Sequence, residues 1–174
     1  LEAGEWPQVL VFISARDDAA GVAKKLDRAG MTVAVLHGNK DQTTREQALA
    51  DFKEGRVRVL VATDLMARGI HVEALPVVIN LDLPDHAPVY VHRIGRTARA
   101  GQSGLAISLT CHGDGEALKG IRALTGRPLP LAALAGFPVT DKPASGESKR
   151  APRYKQANRR TQGKRSIKQF KGKS

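Results

Sequence analysis

Residues 9–37 read VLVFISARDDAAGVAKKLDRAGMTVAVLH, and this stretch decides the fold. Its first part, VLVFI (9–13), is an unbroken apolar run between Pro7 and Ser14. A strand with one wet face would alternate, so an unbroken run predicts a strand buried on both faces, as in a parallel sheet. Residues 17–29 open with Asp17 and Asp18, place apolar side chains at 19, 22, 23 and 26, and are followed by Gly30. That pattern predicts an amphipathic helix with an acidic first turn and a glycine stop. TVAVLH (32–37) predicts the next strand. Strand, helix and strand at this spacing call for a right-handed crossover within a parallel sheet.

Outward from this unit the pattern repeats. TTREQALADFKEG (43–55) predicts a helix ending at Gly55; VRVLVAT (57–63), VVINLDL (77–83) and GLAISLT (104–110) predict strands. A short helical piece falls near 86–94 and a last helix near 113–125. The expected fold class is α/β: one domain with a parallel sheet and helices on both faces. RPLPLAALAGFPV (127–139) predicts an irregular strap, and beyond 140 the chain has no period and neither Val nor Leu. The expected division is a domain at 1–138 and a basic, disordered tail at 139–174.

Charge follows the same division. The chain carries a net +11, but residues 141–174 hold 12 Lys/Arg against 2 Asp/Glu, and residues 1–140 hold 16 against 15. A nearly neutral body with a basic end points to a polyanion as the partner of that end. Tyr154 and Phe170 lie among its basic residues, where they can stack on bases. The single cysteine, Cys111, excludes an internal disulfide and fits a reducing, cytoplasmic setting. No apolar run reaches the roughly 18 residues of a membrane span, and no secretory leader is evident. A first residue of Leu1 suggests a piece of something longer.

In open parallel sheets ligands gather at the carboxyl ends of the strands. The polar stretches SAR (14–16), HGNKDQ (37–42) and TDLMARGIH (63–71) follow strands, and HRIGRTARAG (92–101) precedes the last one. Taken singly, each has an ordinary explanation. "HG" and "TD" are common as turns and caps, Arg16 suits solvent, and Gln42 and Arg45 suit an exposed first helical turn. His92 alone suits a satisfied histidine. The triplet Arg93, Arg96 and Arg99, spaced by three with no acid in its own segment, is harder to explain in this way. It predicts guanidinium groups free to project toward a phosphate-rich ligand.

Together these motifs resemble the DEAD-box RNA helicases, specifically the second of their two RecA-like domains, over residues 6–138. VLVFISAR is similar to motif IV, and HGNKDQTTREQAL to the next segment with its QxxR element. VLVATDLMARGIHV is similar to motif V and YVHRIGRTARAG to motif VI. The wording is nearest to the bacterial RhlE-like branch. The resemblance implies that Arg96 and Arg99 reach the γ-phosphate of ATP held by the other domain. It implies that Gly69, His71, His92 and Arg93 serve the nucleotide and interdomain side. It further implies RNA-backbone contacts from Ser14, Arg16, Gly38, Thr63 and Arg68, supported by a polar network of Gln42, Arg45 and Asp64. His71 stands where the motif carries an aspartate for the ribose. Ala98 replaces a glycine and keeps the position small.

No G-x-x-x-x-G-K-[ST] and no Asp-Glu-Ala-Asp occur in the chain, and no metal site of its own is expected. By the family layout, ATP with Mg2+ is bound mainly by an N-terminal RecA-like domain, and this chain alone is expected to be inactive. The expected partners are RNA, read through its backbone without sequence preference, that N-terminal domain, and protein partners through the tail; no membrane is expected. Two alternatives remain open: an RNA-binding or annealing module driven by the basic tail, and an α/β scaffold that docks a protein.

Overall fold

The computed structural model describes residues 6–38, 41–67, 72, 74–98, 103–133 and 136. The expected strap is described only in part, and the expected tail at 139–174 lies outside these residues. The elements alternate in chain order: β1 (Val9–Phe12), α1 (Arg16–Arg28), β2 (Val33–Leu36), α2 (Gln42–Lys53), β3 (Val59–Ala62), α3 (Asp64–Ala67), β4 (Val77–Asn80), α4 (Ala87–Ile94), β5 (Leu105–Ser108) and α5 (Gly115–Thr125). Gly30 and Gly55, with φ of +79° and +78°, follow α1 and α2 closely in the left-handed conformation that glycine tolerates best.

All pairings are parallel, in the order β2-β3-β1-β4-β5. The chain builds from β1 first toward β3 and β2, then toward β4 and β5. The order therefore reverses at β1, and the carboxyl end of β1 is the switch point where a ligand crevice forms.

The apolar runs bury both faces, because alternate residues serve separate cores. Leu10, Phe12, Leu60, Ala62 and Val78 pack with Ala48 and Phe52 of α2 on one face. Val9, Val11, Val59, Val61 and Val77 pack with Ala19 of α1 and Met31 on the other. A smaller cluster of Leu83, Tyr90 and Ile121 joins α4 to α5. The result is the three-layer α/β arrangement that the sequence pattern predicts, in the RecA-like form that the resemblance implies.

Two details differ from the sequence expectation. The polar stretch after β3 folds into the single turn α3, too short for periodicity to reveal. β4 ends at Asn80 rather than running to Leu83. Leu81 N–H still donates to Phe12 C=O at 2.9 Å, and the Asp82 carboxylate then turns to the chain after β1. At α2, the Asp41 carboxylate caps the helix by accepting from Thr44 N–H at 2.8 Å and Thr44 Oγ1 at 2.8 Å. Those bonds from Thr44, the backbone one foremost, hold the Asp41 carboxyl below the usual aspartate range.

Candidate functional site

The carboxyl ends of β1, β3 and β4 meet around one side chain, Arg93 in the last turn of α4. It is 1% exposed and larger than any other fully buried side chain in the described residues. A permanently charged guanidinium is costly to bury unless its donors are satisfied. Here Arg93 Nε donates to Asp64 Oδ1 at 2.6 Å and Nη2 to Asp64 Oδ2 at 2.8 Å, a bidentate pair. Nη2 also donates to Ser14 Oγ at 3.1 Å, and Nη1 to the Asp82 carbonyl at 2.8 Å. Nη1 lies 3.5 Å from Asn80 Oδ1 and 3.5 Å from Asp82 Oδ1. The Phe12 ring centroid lies 5.3 Å from the guanidinium carbon, within cation–π range.

This corrects the expectation that all three arginines project freely. The acids that pair with Arg93 are absent from its own segment but come from 29 and 11 residues away. The parallel sheet brings the ends of β3 and β4 to α4.

Ser14 belongs to the same network. Its N–H donates to both Asp82 oxygens, at 3.1 and 2.9 Å, and its hydroxyl donates to Asp82 Oδ1 at 2.7 Å. Phosphate oxygens only accept hydrogen bonds. With both of its donors on Asp82, Ser14 has none left for an RNA phosphate in this arrangement.

Arg96 follows on a pinned backbone. Its N–H donates to Arg93 C=O at 3.3 Å, and its own carbonyl accepts from Leu75 N–H at 3.1 Å. Thr97, 5% exposed, donates through Oγ1 to Leu75 C=O. The Arg96 side chain is half-buried and, with His92, lines a cavity of about 380 Å³. Asp64, Phe12, Ala67, Pro88, Val89 and Arg93 complete the lining. His92, Arg93 and Arg96 with the Asp64 carboxylate, set among apolar walls, suit a ligand that carries polar or charged groups.

Ala98 carries φ of +54°. Its size is acceptable, but its backbone lies in the region where glycine is favoured, so the change from glycine costs conformational strain that the sequence did not reveal. Gly104 explains how this segment packs: a Cβ there would lie 1.7 Å from Thr97 Oγ1 and 2.6 Å from Ala98 N.

The remaining candidates are more dispersed. Thr63, 8% exposed, starts α3, its carbonyl accepting from Met66 and Ala67. Arg16 is half-exposed and pairs with Asp17 at 3.4 Å. Gly38 is exposed at the end of β2. Gln42 donates to Glu46 at 2.6 Å, and Arg45 is half-buried on the same helix. Asp64, expected to join Gln42 and Arg45, instead pairs with Arg93. Arg68, Gly69, His71 and Arg99 lie outside the described residues. Asp82, Asn80 and Phe12 were not anticipated. The available signal was the pair of polar residues within VVINLDL, out of place in a strand buried on both faces.

Comparison with known proteins agrees with this geometry. Residues 1–101 match the helicase conserved C-terminal domain family. The chain is 45% identical over 125 residues to the ATP-dependent RNA helicase RhlB of Pseudomonas putida, covering 72% of this chain and 31% of that protein. It is 41% identical over 158 residues to the ATP-dependent RNA helicase SrmB of Haemophilus influenzae, covering 90% of this chain and 36% of the relative. The crystal structure of the Escherichia coli DEAD-box protein SrmB bound to RraA superposes with a TM-score of 0.64 at 38% identity, covering 71% of this chain and 73% of that one. The chain thus spans about a third of the length of the curated relatives it matches. With its parallel RecA-like sheet and its HRIGRTAR segment at the strand ends, the chain belongs to the helicase conserved C-terminal domain family, in its DEAD-box form.

Proposed function

We propose that this chain is the C-terminal half of an ATP-dependent RNA helicase, completed by an N-terminal RecA-like domain that binds ATP with Mg2+. One observation carries this reading: Arg96 lines a cavity at the switch-point end of the sheet, on a backbone held between Arg93 and Leu75. A guanidinium carried on a backbone held in this way suits the charge that develops on a transferring phosphoryl group. Arg99 is assigned the same role by its motif. His92, on the cavity wall, and Gly69 and His71 of motif V are assigned to the nucleotide and interdomain side. Thr63, Gly38, Arg16 and Arg68 are assigned to the RNA backbone, with Gln42 and Arg45 supporting them from α2. Such contacts position a strand without reading its sequence. Residues 1–138 constitute the domain, and the basic end at 139–174 tethers RNA or a protein partner in the cytoplasm.

ATP turnover, with and without RNA, tests the proposal. The two-domain parent is expected to turn over ATP in response to RNA, and the isolated chain to stay at background. Turnover by the repurified isolated chain would overturn the half-enzyme reading. The net +10 of residues 141–174 favours a second reading, an RNA-binding module driven by its tail. A parent that binds RNA but shows no RNA-stimulated turnover would favour it.

A further inference from the structure

We infer that Ser14 and Asp82 are positioning residues that lock Arg93 and, through it, fix the segment that presents Arg96. This inference rests on the helicase reading and specifies how RNA-side loops communicate with the phosphate-facing arginine.

The two residues form one arm of a clasp. Asp82 gathers both Ser14 donors, the N–H and the hydroxyl, at 2.7 to 3.1 Å. Ser14 Oγ then has a lone pair facing Arg93 Nη2 at 3.1 Å, while the Asp82 carbonyl takes Nη1 at 2.8 Å. Asp64 forms the other arm with two bonds at 2.6 and 2.8 Å. Arg93 is thereby held from the ends of β1, β3 and β4 together. Its carbonyl accepts from Arg96 N–H, and Arg96 is held on the far side by Leu75. A shift of the β1 or β4 end moves the clasp, and the clasp moves the backbone that carries Arg96.

A direct RNA contact by Ser14 and a positioning role differ in what they change. Loss of a backbone contact weakens RNA binding, whereas loss of a positioning group lowers turnover at saturating ligand. In the two-domain parent, Ser14→Ala and Asp82→Asn are each expected to lower RNA-stimulated kcat by about tenfold, because a misplacement of about 1 Å can cost about a hundredfold and a loosened clasp shifts Arg96 by less. KM for ATP and Kd for RNA are expected to stay within about twofold of wild type, where no contact to either ligand is lost. Ser14→Thr keeps the hydroxyl and is expected to restore kcat. All variants are assayed well below their melting midpoints, so that unfolding does not pass for lost turnover.

Loss of RNA affinity at unchanged kcat in Ser14→Ala would overturn the inference, and so would wild-type kcat in both Ser14→Ala and Asp82→Asn. A Ser14→Thr variant as slow as Ser14→Ala would overturn it too. Wild type and Arg96→Ala serve as references. If wild type shows no RNA-stimulated turnover, or Arg96→Ala matches wild type, the helicase reading itself has failed. If those references behave and only the clasp variants do not, the inference alone has failed.

Discussion

Removal of Asp64 tests the physical core of the site without any ligand. Asp64→Ala strips the bidentate carboxylate pair, at 2.6 and 2.8 Å, from a guanidinium that is 1% exposed. Bonds to charged groups contribute about 1.5–3 kcal/mol each, and breaking a buried ion pair costs about 3–5 kcal/mol in all. Two features place this case at the low end. Asp64 is itself 28% exposed, so water reaches the vacated position, and Asp82 Oδ1 remains 3.5 Å from Arg93. The expected loss is about 3 kcal/mol, a fall in Tm of about 10 °C for a domain of this size.

Urea unfolding of the 174-residue chain measures it, followed by the fluorescence of its single tryptophan, Trp6, which packs against the α1 side of the core. Arg93→Met combined with Asp64→Ala removes the charge that Asp64 alone would orphan. The double variant is expected to lose about 2 kcal/mol less than the sum of the single losses. An Asp64→Ala loss below about 1 kcal/mol, together with additive behaviour of the pair, would refute the view that Arg93 is a buried, carboxylate-dependent hub.

Two further outcomes follow from the segment after Arg96. Gly104→Ala places a Cβ 2.6 Å from the Ala98 amide nitrogen, which cannot swing aside as a side-chain end can. It is expected to destabilise the chain by about 1–3 kcal/mol, and an unchanged urea midpoint would contradict this close approach. Ala98→Gly relieves a residue at φ +54° and is expected to raise stability by about 1 kcal/mol; a lower midpoint would show that the conformation is not strained.

The fold was legible because its signals are local. Val9–Ile13 and Val59–Val61 are apolar without interruption, and burial on both faces of a parallel sheet requires that pattern. Asp17, Asp18 and Gly30 mark the ends of α1 through dipole and turn geometry, which act within a few residues. The site was legible in composition but not in connectivity. HRIGRTAR announced a phosphate-seeking segment; spacing alone treated Arg93 and Arg96 alike, and only the motif resemblance gave them different roles. That distinction depends on Asp64 and Asp82, which become neighbours of α4 only once the sheet is assembled. The RNA contact of Ser14 is what its motif implies, and a motif says nothing of where its donors point before a ligand arrives. Only its bonds to Asp82 show where its donors go. At Ala98 the sequence conveyed size, whereas the strain lies in a backbone angle.

Arg96 is proposed to meet a phosphoryl group held by a second domain, and RNA-stimulated ATP turnover of the two-domain parent, wild type against Arg96→Ala at saturating RNA, tests this directly. A fall of about a hundredfold or more in kcat with nucleotide binding retained is expected, since arginines in this role contribute about 10³–10⁵ in turnover. Turnover within about twofold of wild type would contradict it, leaving the arginine to some other ligand and the basic end as the principal RNA-binding element.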